Sequence, residues 1–127
     1  MAQAEWILLA RQLAELPEDQ RLARIKRYAE EDSYAAAKVV VRCSLSRKDL
    51  QELTSFALRQ DDLQRLGYWL ESIAHRAGFR RLLRWIDQDS ALPADVVDFA
   101  AYHLRRLVPD TDADRLALAQ FCRTRGL

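Results

Sequence analysis

Apolar residues recur every three or four positions along almost the whole chain, the period of helices that bury one side. Over residues 2–15, Trp6, Leu9, Leu13 and Leu16 follow that spacing, and Ile7 and Leu8 widen the stripe beyond what one neighbour would cover. Leu16-Pro17-Glu18-Asp19 places proline at a helix start with acids behind it, and Leu22, Ile25, Tyr28 and Ala29 carry the next stripe to about Glu31. Asp32 or Ser33 caps a third helix. Ser46-Arg47-Lys48-Asp49 resembles a capping box, opening a fourth with Leu50, Leu53, Ala57 and Leu58 inward. Asp61 or Asp62 caps a fifth, with Leu63, Leu66, Leu70, Ile73 and Ala77 on one side and Gly78 as its stop. Phe79, Leu82, Leu83 and Ile86 predict a short sixth helix. Leu92-Pro93-Ala94-Asp95 then repeats the earlier start signal ahead of Val96, Val97, Ala100, Leu104 and Leu107, and Pro109 ends that stretch. Thr111 or Asp112 caps the last helix, with Leu116, Leu118, Ala119, Phe121 and Cys122 inward and Gly126 after it.

One stretch departs from this alternation. Tyr34–Leu45 is interrupted only by Lys38, Arg42 and Ser44. Its valines, Val39 to Val41, also suit a strand, but no other segment offers a β-branched run to pair with. The stretch is therefore read as a helix wrapped by others, with Lys38 and Arg42 sharing one wet stripe at i and i+4.

The predicted starts fall near residues 2, 17, 33, 46, 62, 79, 93 and 111, a near-constant interval. Eight short helices so spaced pair into four antiparallel hairpins, 2–31, 33–60, 62–88 and 93–125, within one all-α domain over 1–127. Hairpins of this length resemble the stacked units of an α-solenoid of the HEAT or tetratricopeptide kind, although neither family's motif repeats in the chain. A compact helical bundle, of the death-fold type, satisfies the same spacings.

Composition supports the helical reading, since Gly and Pro number three each, too few for the turns of an all-β fold. The net charge of +1 gives the whole molecule no strong pull toward nucleic acid or an anionic membrane. Charge is uneven locally: residues 1–33 hold five basic and seven acidic side chains, and residues 34–60 hold five and two. Cys43 and Cys122 are too few for a disulfide framework. Trp6–Ala10, behind Glu5, is too short for a signal-peptide core or a membrane span, so a cytoplasmic chain is expected.

Candidate chemistry is sparse. Asp110, Asp112 and Asp114 form D-x-D-x-D, but Arg115 stands where a calcium loop needs glycine and Phe121 where it needs a bidentate acid. His75 and His103 have no His or Cys one helical turn away. There is no nucleophile elbow and no glycine-rich phosphate loop. The expectation is a chain that is not an enzyme, uses no cofactor or metal, and serves as an interaction module for a protein partner, a second copy of itself included. Trp6, Ile7 and Leu8 are candidate contacts, as are the basic group Lys38, Arg42, Arg47 and Lys48 and the junction Arg80, Arg81, Arg84 and Trp85. Arg76, Arg80, Arg81 and Arg84 beside Tyr68, Phe79 and Trp85, together with Lys38, Arg42, Arg47 and Lys48, suit RNA or another single strand, which is the alternative.

Overall fold

The computed structural model describes residues 2–127, with side chains from Glu5 onward. Its helices are α1 (Ala2–Glu15), α2 (Glu18–Glu31), α3 (Ser33–Val40), α4 (Arg47–Leu58), α5 (Leu66–Ala77), α6 (Phe79–Gln88), α7 (Ala94–Leu107) and α8 (Asp112–Thr124), with a 3-10 turn at Leu63–Arg65. The fold is all-α. Side-chain caps sit where the sequence places them. Asp32 accepts from the Ala35 amide (3.0 Å), Ser46 from Asp49 (3.1 Å) and Thr111 from Asp114 (3.1 Å), each satisfying an amide that the first helical turn leaves unpaired. Asp62 caps the 3-10 turn, so α5 itself begins only at Leu66. Gly78 joins α5 to α6 alone, at φ +95°, a conformation that L side chains rarely adopt.

The packing has two ranks. Helices α1, α3, α5 and α7 touch in succession, and so do α4, α6 and α8, while α2 lies against α3. This pattern is compatible with a solenoid-like arrangement or a bundle. Helix α5 is the hub, packed on α3, α4, α6 and α7. Its Trp69, 1% exposed, donates its indole N–H to the Ser33 hydroxyl at 3.0 Å and meets the Phe56 ring edge-on at 5.9 Å. One indole thus ties together three helices.

The ranks share one apolar core but differ in their ion pairs. Among the described residues, every ion pair between helices belongs to the even rank. Lys26–Glu52 (3.1 Å) links α2 to α4, and Arg59–Asp89 (2.7 Å) links the ends of α4 and α6. Arg80–Asp114 and Arg125–Asp87, both at 3.3 Å, link α6 to α8. Pairs this exposed contribute only about 0.2–1 kcal/mol each. The odd rank has apolar and aromatic contacts instead, with Ala35, Ala36, Ala37, Val39 and Val40 of α3 all buried.

Three expectations are corrected. The Tyr34–Leu45 run is helical only to Val40, and residues 41–46 form a turn and an extended loop. Valines have little rotamer freedom in a helix, and the amides of Arg42 and Cys43 turn back to the Val39 and Val40 carbonyls (2.9 and 3.3 Å). Buried Cys43 and Leu45 anchor the loop, and Arg21 holds it from α2 by donating to the Ser44 carbonyl at 2.8 Å. Arg42 is therefore not on a helical stripe with Lys38. In α8, Asp114, Leu118, Phe121 and Cys122 face inward at i, i+4, i+7 and i+8, which turns Leu116 out to solvent. Trp85, expected at a contact face, is 9% exposed and belongs to the core.

Candidate interaction face

The predicted contacts are carried by α1, α3 and the loop after it, α4 and α6. On α1, Leu8 is 54% exposed and Ile7 is also exposed, whereas Trp6 packs partly against the core with the Arg42 guanidinium 5.1 Å from its ring centroid. Arg47 and Lys48 stand exposed in the first turn of α4. The arginine junction is on α6. Arg80 is held by Asp114, Arg81 donates to the Ala77 carbonyl at 3.0 Å, and Arg84 lines a shallow groove against Ala117 and Phe121 of α8. Helix α3, which carries Lys38, has no extensive contact with α6 or α8, whereas α4, which carries Arg47 and Lys48, packs on α6.

A continuous aromatic and cationic surface does form on the odd rank. Tyr34 of α3 and Tyr68 of α5 meet edge-to-face, with ring centroids 4.7 Å apart at 88°. Lys38 Nζ lies 5.3 Å from the Tyr34 ring and the Arg65 guanidinium 5.9 Å from it. Tyr68 then walls a groove of about 360 Å³ between α5 and α7, shared with Gln64, Glu71, His103 and Arg106. Arg106 lies 5.8 Å from the Tyr102 ring and donates to its hydroxyl at 3.3 Å. Tyr102 is 54% exposed, and Phe99 is exposed one turn before it. Among the described residues, Lys38, Arg65 and Arg106 have no carboxylate within ion-pair distance.

Gly67 sets the floor of the groove. A Cβ there would stand 2.7 Å from the His103 ring, so only glycine lets that ring lie against the α5 backbone where α7 crosses it. The ring is flanked by Phe99 at 5.3 Å and Tyr102 at 5.2 Å, and its Nε2 is buried without a hydrogen-bond partner. Burial, with the Arg106 charge adding to it, holds the imidazole below its ordinary range. Asp89 is also held low, chiefly by its hydrogen bond to Arg59.

A group whose pKa folding lowers binds fewer protons in the folded chain than in the unfolded one. Its contribution to stability is complete above the unfolded value and is lost as pH falls through the interval down to the folded value. Stability is therefore expected to decline in two stages on acidification. The first begins near pH 6.5 and belongs to His103; the second begins near pH 3.9 and belongs to Asp89, those being about the unperturbed values of the two groups. Urea unfolding between pH 7 and 3 checks this. His103→Gln should flatten the upper stage and Asp89→Asn the lower, and an upper stage that survives in His103→Gln would assign it to another group.

Sequence reasoning passed over Tyr34, Arg65, Tyr102 and Arg106. One signal was available. On α7 the inward positions are Val96, Val97, Ala100, Ala101 and Leu104, so Phe99, Tyr102 and Arg106 form a second stripe at i, i+3 and i+7 on the side that should be polar. The meeting of Tyr34 with Tyr68 depends on tertiary packing. Elsewhere, among the described residues, no group of His, Cys, Asp and Glu side chains is arranged to hold a metal ion, and no helix is long and apolar enough to cross a membrane. Compared with protein-family models, with curated proteins and with solved structures, the chain matches none.

Proposed function

We propose that the chain is a non-catalytic helical interaction module, an adaptor or scaffold, that binds a protein partner through the odd-rank surface. The observation that carries this is the joining of α3, α5 and α7 into one aromatic and cationic surface, where Lys38, Arg65 and Arg106 lie beside tyrosine rings and have no carboxylate of the described chain within ion-pair distance. Aromatic residues with arginine are the side chains that dominate binding energy at protein interfaces. A cation held beside a ring loses less side-chain entropy on binding than a free one. The two free, buried cysteines are in keeping with a cytoplasmic location.

The same cations and exposed rings also suit a single nucleic-acid strand, and one comparison tests both readings. The immobilised chain and its Lys38→Glu/Arg106→Glu variant are exposed to the native lysate, and each is titrated with a single-stranded RNA at two salt concentrations. The wild-type chain is expected to retain proteins that the variant releases, and to give no salt-sensitive RNA shift. Identical retention by both chains would sink the proposal, and an RNA shift that the variant abolishes would replace it with the nucleic-acid reading.

A further inference from the structure

Resting on the interaction reading, we infer that the odd-rank surface recognises an acidic linear peptide segment, laid across α3, α5 and α7, with carboxylates at both ends and an apolar side chain between them. One carboxylate is taken by Arg106, the other by Lys38 and Arg65, and the apolar side chain rests on Tyr68 at the mouth of the α5–α7 groove.

The cations supply the first argument. A guanidinium lying over a ring still directs its edge N–H groups outward, in the fork that matches a carboxylate. Arg106 is fixed in this way by the Tyr102 ring and hydroxyl, and Arg65 with Lys38 by the Tyr34 ring. None of the three is neutralised by a carboxylate of the described chain. The surface is thus a set of oriented donors awaiting acceptors.

The groove decides between a peptide and a phosphate backbone. Besides Arg106 it contains the Glu71 carboxylate and the Gln64 amide. A peptide backbone alternates N–H donors with C=O acceptors, so Glu71 and Gln64 can both be satisfied along it. A nucleic-acid strand brings a charge at every phosphate and cannot keep them all from Glu71, whereas a peptide with its carboxylates at the two ends sets neutral backbone beside it. The rings point the same way. Stacking a base needs an open aromatic face, and the half-buried Tyr34 ring already has Tyr68, Lys38 and Arg65 about it. Tyr68, which meets Tyr34 edge-on, remains exposed as an apolar rest for a side chain.

Geometry sets the spacing. Packed helices lie about 8–10 Å apart, so α3 and α7 are separated across α5 by roughly twice that distance. An extended chain advances about 3.3 Å per residue, which places the two carboxylates about five residues apart.

The probe is a fluorescein-labelled peptide with glutamates five residues apart flanking Leu-Phe, alongside its glutamine counterpart and a single-stranded oligouridylate. Anisotropy titrations use the full chain. The glutamate peptide is expected to bind, and the glutamine peptide to bind roughly tenfold or more weakly, the factor lost with about 1.4 kcal/mol. Arg106→Gln and Lys38→Gln should each weaken the glutamate peptide by a similar factor, and exposed Arg123→Gln on α8 should leave it unchanged. All these sites are on the surface, and circular dichroism checks that the variants fold. Equal binding of the two peptides, no effect of Arg106→Gln, or tighter binding of the oligouridylate would overturn the inference. If no peptide binds while the lysate comparison still distinguishes wild type from Lys38→Glu/Arg106→Glu, the acidic-peptide inference falls and the interaction reading stands. If both comparisons are flat, both fall.

Discussion

Trp69→Ala is expected to remove about 3–5 kcal/mol of stability, the range for truncating a large aromatic residue in a core. A domain of this size has only about 5–15 kcal/mol in total, so the variant should stand at or near the edge of unfolding. The cost has three sources. Trp69 is 1% exposed on the hub helix, so removing it opens a cavity where α3, α4 and α5 meet. The edge-on contact with Phe56 disappears. The Ser33 hydroxyl loses its indole donor across 36 residues of chain. Two milder variants separate these effects. Trp69→Phe keeps a ring but no N–H, and Ser33→Ala leaves the indole N–H without its acceptor, a cost of about 1–3 kcal/mol. Urea unfolding followed by circular dichroism ranks them. A Trp69→Ala chain within about 1 kcal/mol of wild type would mean that the surrounding helices collapse into the space, and that α5 does not organise the core.

Ala36→Leu should be costly for the opposite reason. Leucine is nearly as good a helix former as alanine, so local propensity predicts little change. Ala36, however, is fully buried on α3, which is packed against α1, α2 and α5. Added methylenes have nowhere to go without moving a helix, and overpacking of this kind costs about 1–3 kcal/mol. Lys38→Leu, on the exposed side of the same helix, is the control and should leave the urea midpoint nearly unchanged. Equal tolerance at both positions would show a void beside Ala36.

That pair of variants also shows how far periodicity reaches. The apolar run around Ala36 is rightly legible as an element wrapped by others, because a stretch with so little polar surface cannot face water. Where the helix stops was not legible. Val39 to Val41, Cys43 and Leu45 stay apolar through the turn, since Cys43 and Leu45 are buried under it, and the change shows only in their alternation with the exposed Arg42 and Ser44. Helix starts were read better, because Asp32, Ser46 and Thr111 cap by side-chain bonds that local sequence encodes. Leu116 and Trp85 were misplaced for one shared reason. Composition invites each into a role, but the inward face of its helix is set by partners distant in sequence. The interaction surface was the least legible part. Lys38 was recognised for its charge, whereas its ring partner Tyr34, the neighbouring Tyr68 and the α7 stripe converge only through the stacking of α3, α5 and α7.

The succession of contacts within the two ranks also bears on how quickly the molecule assembles. Extensive packing joins each helix only to neighbours one or two places along the chain. No step of assembly therefore has to close a long loop before it gains an apolar contact, and the entropy lost at each step stays small. Topologies this local fold on the order of microseconds to milliseconds. Helix α5 sits in mid-chain and touches helices on both sides of it in sequence, so a nucleus formed around Trp69 can extend toward either terminus. The single residue between α5 and α6 works in the same direction. Gly78 leaves no slack to search, and once α5 is formed, the start of α6 is already in place.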